Sequence, residues 1–321
     1  ITGSEGEPTL EEALRKLARL EEENANLRQE MREYKRNGVS GLRRREGFYR
    51  LVEDRLKEKA GWLLDGLEML SDEGLIKKVD EWSLDTVTAE KFSVLMGDIA
   101  YLSLANKGGH RQGDNLLADI GAVATQKLGS PDIDAPEKGA YFVAYRHCGD
   151  EFSAVIEDTL ENANKLAERF SEEVAKSKIG SLEKYGLEPR IDIGTAHLVE
   201  GLEAFKELVR GGVKIPGGNR MRKIQDLMIE IADQRSIIIK VKTRINFLMS
   251  LRAHKSDFFA LVIDDLRKGA LGAKDEEIDH LLENGGVDLF VDEKLEESMK
   301  EGQQGAFLEK DIVKKIATRG L

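Results

Sequence analysis

The chain has 321 residues, a formal net charge of -11 and a sequence pI near 5.2. That acidity argues against a general nucleic-acid binder, which needs a basic face. It leaves room for a nucleotide whose phosphates meet a metal and a few Lys or Arg side chains. The single cysteine, Cys148, excludes an internal disulfide and fits a reducing, cytoplasmic setting, and no apolar run is long enough to span a bilayer.

The start, Ile1-Thr2-Gly3-Ser4, has neither a basic n-region nor an apolar h-region, so a signal peptide is not expected. The reading leaves room for an upstream sensor or membrane anchor. Leu10, Leu17, Asn24 and Met31 then recur at heptad spacing, with Ala13, Leu20, Leu27 and Tyr34 three residues after each. These are a and d positions of a coiled coil over residues 1–36, and Asn24 at an a position suits a parallel dimer in fixed register. The other reading is one amphipathic helix lying on its own domain.

Asn37-Gly38 breaks that pattern, and a second helix is predicted from about Leu42 to Lys59. Residues 60–90 read as helical and acidic. Lys91–Met96 reads as a short buried strand ending at Gly97-Asp98. A polar stretch from Asn106 to Asp114 opens a helix over Asn115 to Leu128, and a Pro- and Asp-containing loop follows. The runs Ala140–Tyr145 and Phe152–Ile156 flank Arg146-His147-Cys148-Gly149-Asp150-Glu151, which reads as a β-hairpin with paired acids at its tip. Such a tip is a natural place for a divalent cation. A helix over about 160–178, a strand at Arg190–Gly194, a helix over about 222–238 and a last strand near Ile245–Leu248 complete an α/β core, one sheet covered by helices. Residues 251–321 are charged, with helical stretches.

Several of these stretches, in their order, resemble a GGDEF domain, the catalytic module of diguanylate cyclases. The resemblance covers roughly residues 36 to 250. Ser40-Gly41-Leu42-Arg43-Arg44-Arg45-Glu46-Gly47-Phe48 looks like the family's TGLxNRRxF opening, and Asp98-Ile99 like its first metal site. Asn106, Gly109-His110 and Gly113-Asp114 look like its NDxxGHxxGD stretch. Cys148-Gly149-Asp150-Glu151-Phe152 stands where the signature would stand, and Asp192–Ala196 resembles its SIGIA strand. Ala232-Asp233, Lys240 and Arg244 resemble ADxALYxAKxxGR. The resemblance implies a palm-type sheet of about five strands covered by helices, in a catalytic domain over 37–250. The coiled-coil helix would precede it and a mostly helical extension, 251–321, would follow.

It also implies the chemistry: two GTP condense to cyclic di-GMP and two pyrophosphates, each 3′-hydroxyl attacking the other nucleotide's α-phosphate. Mg²⁺ (or Mn²⁺) is the implied cofactor, held by Asp98, Asp150 and the Ile99 carbonyl. Glu151 would bind a second metal or help deprotonate the hydroxyl. Asn106 and Asp114 would read guanine, Lys240 and Arg244 would clamp the terminal phosphates, Gly149 would leave the phosphates room, and Arg146 would steady the hairpin or the transition-state charge. Each residue also has a plainer reading: a turn or helix-cap aspartate for Asp98 and Asp114, an Asx turn for Asn106, an exposed strand residue for Glu151, a solvated basic face for the two cations. One domain holds one GTP, so the active unit would be a homodimer set by the coil. The alternative is a degenerate domain that binds GTP or a protein partner and signals without catalysis.

Departures from the family pattern are Cys148 for the first signature glycine, an Asn106–Asp114 stretch one residue short, Ala100 and Ser103 for a usual acid and lysine, and Arg44 for the asparagine of the opening motif. Gly139 and Phe142 stand where an RxxD product-inhibition motif would be, so feedback at that place is not expected.

Overall fold

A computed structural model gives the fold and describes residues 38–87, 90–107, 110–131, 141–177, 182, 188–251 and 306–319. The predicted coiled coil, Gly109, and the stretch 252–305 lie outside the described residues. Strand β1 (Arg43–Arg44) runs into α1 (Arg45–Leu64), followed by α2 (Asp72–Asp80), α3 (Leu84–Val87) and β2 (Ser93–Ala100). Helices α4 (Leu102–Lys107) and α5 (His110–Ala122) lead to the hairpin β3 (Phe142–Cys148) and β4 (Glu151–Ile156). Then come α6 (Leu160–Ala175), β5 (Arg190–His197), α7 (Leu198–Arg210), α8 (Arg220–Leu251) and α9 (Ala306–Thr318).

The five strands form one sheet in the order β1-β3-β4-β2-β5. Only the short β1–β3 pair is parallel; the others are antiparallel. Helices cover both faces, as the predicted palm-type sheet requires. This explains why the strands read as near-continuous apolar runs instead of alternating. Val94, Met96, Tyr145 and Val155 face a core shared with α1, α7, α8 and α9, while Leu95, Ile99, Phe152 and Ile193 face one shared with α5 and α6.

Local chemistry fixes the helix ends. Thr159 Oγ1 accepts the Asn162 N–H at the start of α6, and the Glu200 carboxylate accepts the His197 N–H at the start of α7. The cap of α8 comes from far away in sequence. Glu68 accepts from the N–H groups of Gly218, Arg220 and Met221 at 2.6, 3.1 and 2.8 Å, placing a negative charge at the positive end of the helix. Arg220 answers by donating to the Leu67 and Leu70 carbonyls at 2.6 and 2.8 Å.

Helix α8 corrects two sequence expectations. It runs for 32 residues, so the helix expected over about 222–238 continues to Leu251 and the predicted strand at Ile245–Leu248 is helical. The mostly apolar run Ile245–Leu248 suits a strand locally, but short apolar runs are ambiguous between the two states and the surrounding structure decides. Here α8 lies directly on β5. A Cβ on Gly194 would sit 2.0 Å from the Ala232 carbonyl oxygen and 2.4 Å from the Ser236 nitrogen. Ser236 Oγ donates to the Asp192 carbonyl at 2.9 Å, and Arg235 to the Thr195 carbonyl at 2.6 Å. The same buried guanidinium pairs with both Glu200 oxygens, at 2.5 and 2.9 Å, and donates to the Ile316 and Ala317 carbonyls at 3.1 and 3.0 Å. The end of the predicted C-terminal extension is thus built into the core: α9 buries Ile312, Val313 and Ile316 beside α7 and α8.

Gly194→Ala is expected to lower unfolding stability by about 2–3 kcal/mol, the scale of an overpacked core in which backbone must move. Urea denaturation of the two proteins checks this, with a loss below about 0.5 kcal/mol speaking against the close α8–β5 approach.

Candidate active site

The hairpin turns through Gly149 and Asp150, and Gly149 has φ 48°, a left-handed conformation that suits glycine. A register shift between Arg146 and Cys148 marks a bulge just before the turn. The turn is fastened to the neighbouring strand, because the Ile99 N–H donates to the Asp150 carbonyl at 3.0 Å.

Asp98 is the one residue of β2 that is not buried. It pairs across β4 with Glu151 and across β5 with Asp192. Residues opposite one another on antiparallel strands share a face, so three carboxylates form a row on the side covered by α8. Each meets a different environment. Lys240 Nζ of α8 lies 2.6 Å from Asp98 Oδ1, and both side chains are about one-fifth exposed. Asp192 is fully buried and accepts from Arg190 Nε at 2.7 Å, and Arg190 also donates to Thr243 of α8. Above the row, Asp233 of α8 is pushed above the usual carboxylate range, first by burial and then by the nearby Glu151 and Asp98 charges, with Lys240 acting in the other direction.

The predicted base-reading pair sits on helices instead of in a loop. Asn106 belongs to the last turn of α4, and Asp114 is an exposed residue of α5, past its first turn. Asp114 therefore does not cap a helix beginning at Asn115. The polar residues of this stretch suggested a loop, but Leu116, Leu117 and Ile120 pin α5 to the sheet. Gly113 allows the two helices to meet: a Cβ there would lie 2.0 Å from Asn106 Oδ1. Between β2 and α4 the chain turns through Tyr101, a non-glycine residue at φ 67°, a strained conformation of the kind found where backbone direction is imposed by its surroundings.

Arg146 goes elsewhere. It is buried on the opposite face from Glu151, its guanidinium 5.1 Å from the centre of the Phe152 ring. Of the two roles expected for it, this placement suits the packing of the hairpin. Ile99 is buried by its side chain and reaches the hairpin by its backbone. Lys240 and Arg244 both lie on α8.

Sequence reasoning passed over His147. Its ring sits on the Glu151 side of the hairpin, with Nδ1 3.3 Å from Ser153 Oγ and Nε2 3.5 Å from Tyr49 Oη of α1. Phe48 packs edge-on against it. Strand alternation around the signature would have placed residue 147 on that side. Asp192 and Asp233 were read only as parts of motifs, although the alternation Arg190, Asp192, Gly194 marks one face of β5.

As for a metal, no three His, Cys, Asp or Glu side chains among the described residues converge to hold one. Asp98 and Glu151, opposite one another on β2 and β4, would supply at most a few ligands to a divalent cation and leave the rest to come from elsewhere. Mg²⁺ is commonly held by one or two carboxylates while substrate phosphates and water supply the other ligands.

Residues 77–211 match the family model described as diguanylate cyclase, GGDEF domain. This stretch belongs to the GGDEF family. The matched part of the GGDEF domain holds Asp98, Asn106, Asp114 and the whole hairpin; α8 follows it. No curated protein sequence matches the chain. Among solved structures, the chain is similar to the coiled coil and GGDEF domain of DgcB from Caulobacter crescentus in complex with c-di-GMP, at 17% identity over 64% of this chain and 96% of that one, with a TM-score of 0.39. It is similar also to the diguanylate cyclase SiaD of Pseudomonas aeruginosa, solved with its activator SiaC, at 18% identity over 57% of this chain and 60% of that one, with a TM-score of 0.31. The FimX GGDEF domain of Pseudomonas aeruginosa matches at 18% identity over 50% of this chain and 78% of that one, with a TM-score of 0.33. Among the described residues, no helix is long and apolar enough to cross a membrane.

Burial holds the His147 pKa below its ordinary value, Glu151 opposing it. A histidine depressed on folding stabilises the fold above its unfolded value, about 6.5, and that contribution is lost as pH falls below it. Wild type should therefore lose more melting temperature than His147→Phe on going from about pH 7.5 to about pH 5.5. Parallel curves for the two proteins would contradict the burial of a neutral imidazole there.

Proposed function

We propose that the protein is a diguanylate cyclase, condensing two GTP into cyclic di-GMP and two pyrophosphates. The observation that carries this reading is the register of Asp98 opposite Glu151, with Asp150 fastened to Ile99 and Lys240 reaching Asp98 from α8, inside and beside a stretch of the GGDEF family.

In this reading Asn106 and Asp114 recognise guanine: a carboxylate accepts from N1–H and the exocyclic amine, and an amide pairs on the O6/N7 edge. Adenine would leave both groups wrongly paired, which is a strong basis for discrimination. Lys240 and Arg244, one helical turn apart, hold the terminal phosphates. Gly149 lets the hairpin backbone approach the phosphates, and Asp98, Asp150 and the Ile99 carbonyl hold the cation that arrives with them. Mg²⁺ or Mn²⁺, when bound, neutralises the polyphosphate and lowers the pKa of the attacking hydroxyl. Glu151, beside Asp98, takes the hydroxyl proton or holds a second cation, and Arg146 keeps the hairpin packed through Phe152.

Each 3′-hydroxyl must meet the α-phosphate of the other nucleotide, so two domains face each other across a homodimer. The heptad repeat over residues 1–36 sets their distance and rotation. Helix α9 braces α8, its Ile316 and Ala317 carbonyls accepting from Arg235. A second reading, a domain that binds GTP without turnover, is favoured by one observation: Asp98 already has a cationic partner in Lys240.

Incubation of the purified protein with GTP and Mg²⁺ is expected to yield cyclic di-GMP by mass spectrometry. Asp150→Ala should reduce turnover at least about a hundredfold, the scale for losing one group aimed at developing charge. Leu17→Glu with Leu20→Glu should abolish product while single-site GTP binding persists. GTP binding by wild type with no product would establish the second reading, and no GTP binding at all would refute both.

A further inference from the structure

We infer that Lys240 is a built-in placeholder for the cation, so that the site refuses free divalent metal and accepts metal only together with a nucleotide. The inference rests on the reading of this site as a GTP site and deepens it.

Three observations lead to it. Lys240 Nζ stands 2.6 Å from Asp98 Oδ1, so a carboxylate assigned to the cation already has a positive partner. Among the described residues no third ligand converges to build an all-protein site. The ammonium is also delivered by rigid backbone. One turn before Lys240, Ser236 is bonded to the Asp192 carbonyl at 2.9 Å and Arg235 to the Thr195 carbonyl at 2.6 Å. The helix cannot drift away from β5, where Gly194 leaves no gap. Exchange of partners therefore needs only rotation of the Lys240 side chain.

The physical consequence is competition. Free Mg²⁺ must displace an ammonium already paired with Asp98 and finds too few further ligands. It holds its hydration shell tightly and gains little. A triphosphate changes both sides of the balance. Its terminal phosphate offers Lys240 a stronger, charge-assisted partner than one carboxylate, and its oxygens complete the coordination of the metal. Lys240 moves to the phosphate, and Asp98 is released to the cation. Metal and nucleotide each create the other's partner, and linkage makes that coupling reciprocal.

The probe is Mn²⁺, titrated into nucleotide-free protein and followed by its electron paramagnetic resonance. Wild type should bind weakly. Lys240→Gln should bind Mn²⁺ about tenfold more tightly, the scale of a partly exposed ion pair, with circular dichroism confirming an intact fold. Lys240→Arg, which keeps the charge, should behave as wild type. Lys242→Gln, which removes a neighbouring charge, should change Mn²⁺ affinity less than twofold if the effect belongs to the Asp98 pair. In EDTA, Asp98→Asn should bind GTP more tightly than wild type, because Lys240 is released. Equal nucleotide-free Mn²⁺ affinity in wild type and Lys240→Gln would overturn the inference while leaving GTP binding intact. Absence of GTP binding in every form would instead sink the functional reading beneath it.

Discussion

The close seat of α8 on β5 is the contact on which the site depends. Gly194 has no side chain, so the backbone of α8 comes down onto the strand, and Ser236 and Arg235 bond to the strand's carbonyls. That contact sets the height and rotation of a long helix over the sheet. It determines that Asp233 and Lys240 fall above the row formed by Asp98 and Glu151. The helix is held at its start by Glu68 and in its middle by Arg235, which also takes in the last carbonyls of α9. Segments with no chemistry of their own thereby hold the cationic side of the site in place.

The site that results is rich in carboxylates. Lys240 pairs with Asp98, Asp233 feels the charges of Glu151 and Asp98, and Asp192 pairs with Arg190. Crowded, partly buried carboxylates raise one another's affinity for positive charge. Such a place attracts a cation and tends to repel a bare triphosphate, which is the physical basis for proposing a metal-bearing nucleotide as its ligand. Lys240 pairs with Asp98, and in the proposed competition a cation must take that carboxylate from it.

Much of the fold was legible in the sequence because it is written locally. The hairpin stands out as two apolar runs around Gly149-Asp150, and β2 as an apolar run whose expected end is Gly97-Asp98 but which continues through Asp98 to Ala100, where its pairing with β5 carries it on. The mostly apolar run Ile245–Leu248 suits a strand as well as a helix, and its helical state at the end of α8 depends on a helix seated on β5 by bonds that no local pattern records. Helix α5 is expected from Asn115 onward, but α4 and the first turn of α5 are hidden by a polar, glycine-containing sequence, and burial of Leu116 and Ile120 on the same helix decides. Motif order suggested the site residues, but not the pairing of Asp98 with Lys240, the withdrawal of Arg146 to the far face or the His147 contact with Tyr49. These are products of tertiary geometry between segments distant in the chain.

The most direct test of the account is to locate a paramagnetic metal on the folded protein. With Mn²⁺ and a non-hydrolysable GTP analogue, amide signals of Ile99, Asp150, Glu151 and Asp233 should broaden beyond detection in a nuclear magnetic resonance spectrum, while those of α9 remain sharp. Broadening centred elsewhere, on Lys214, Arg222 and Glu309 for example, with the hairpin signals unchanged, would contradict it.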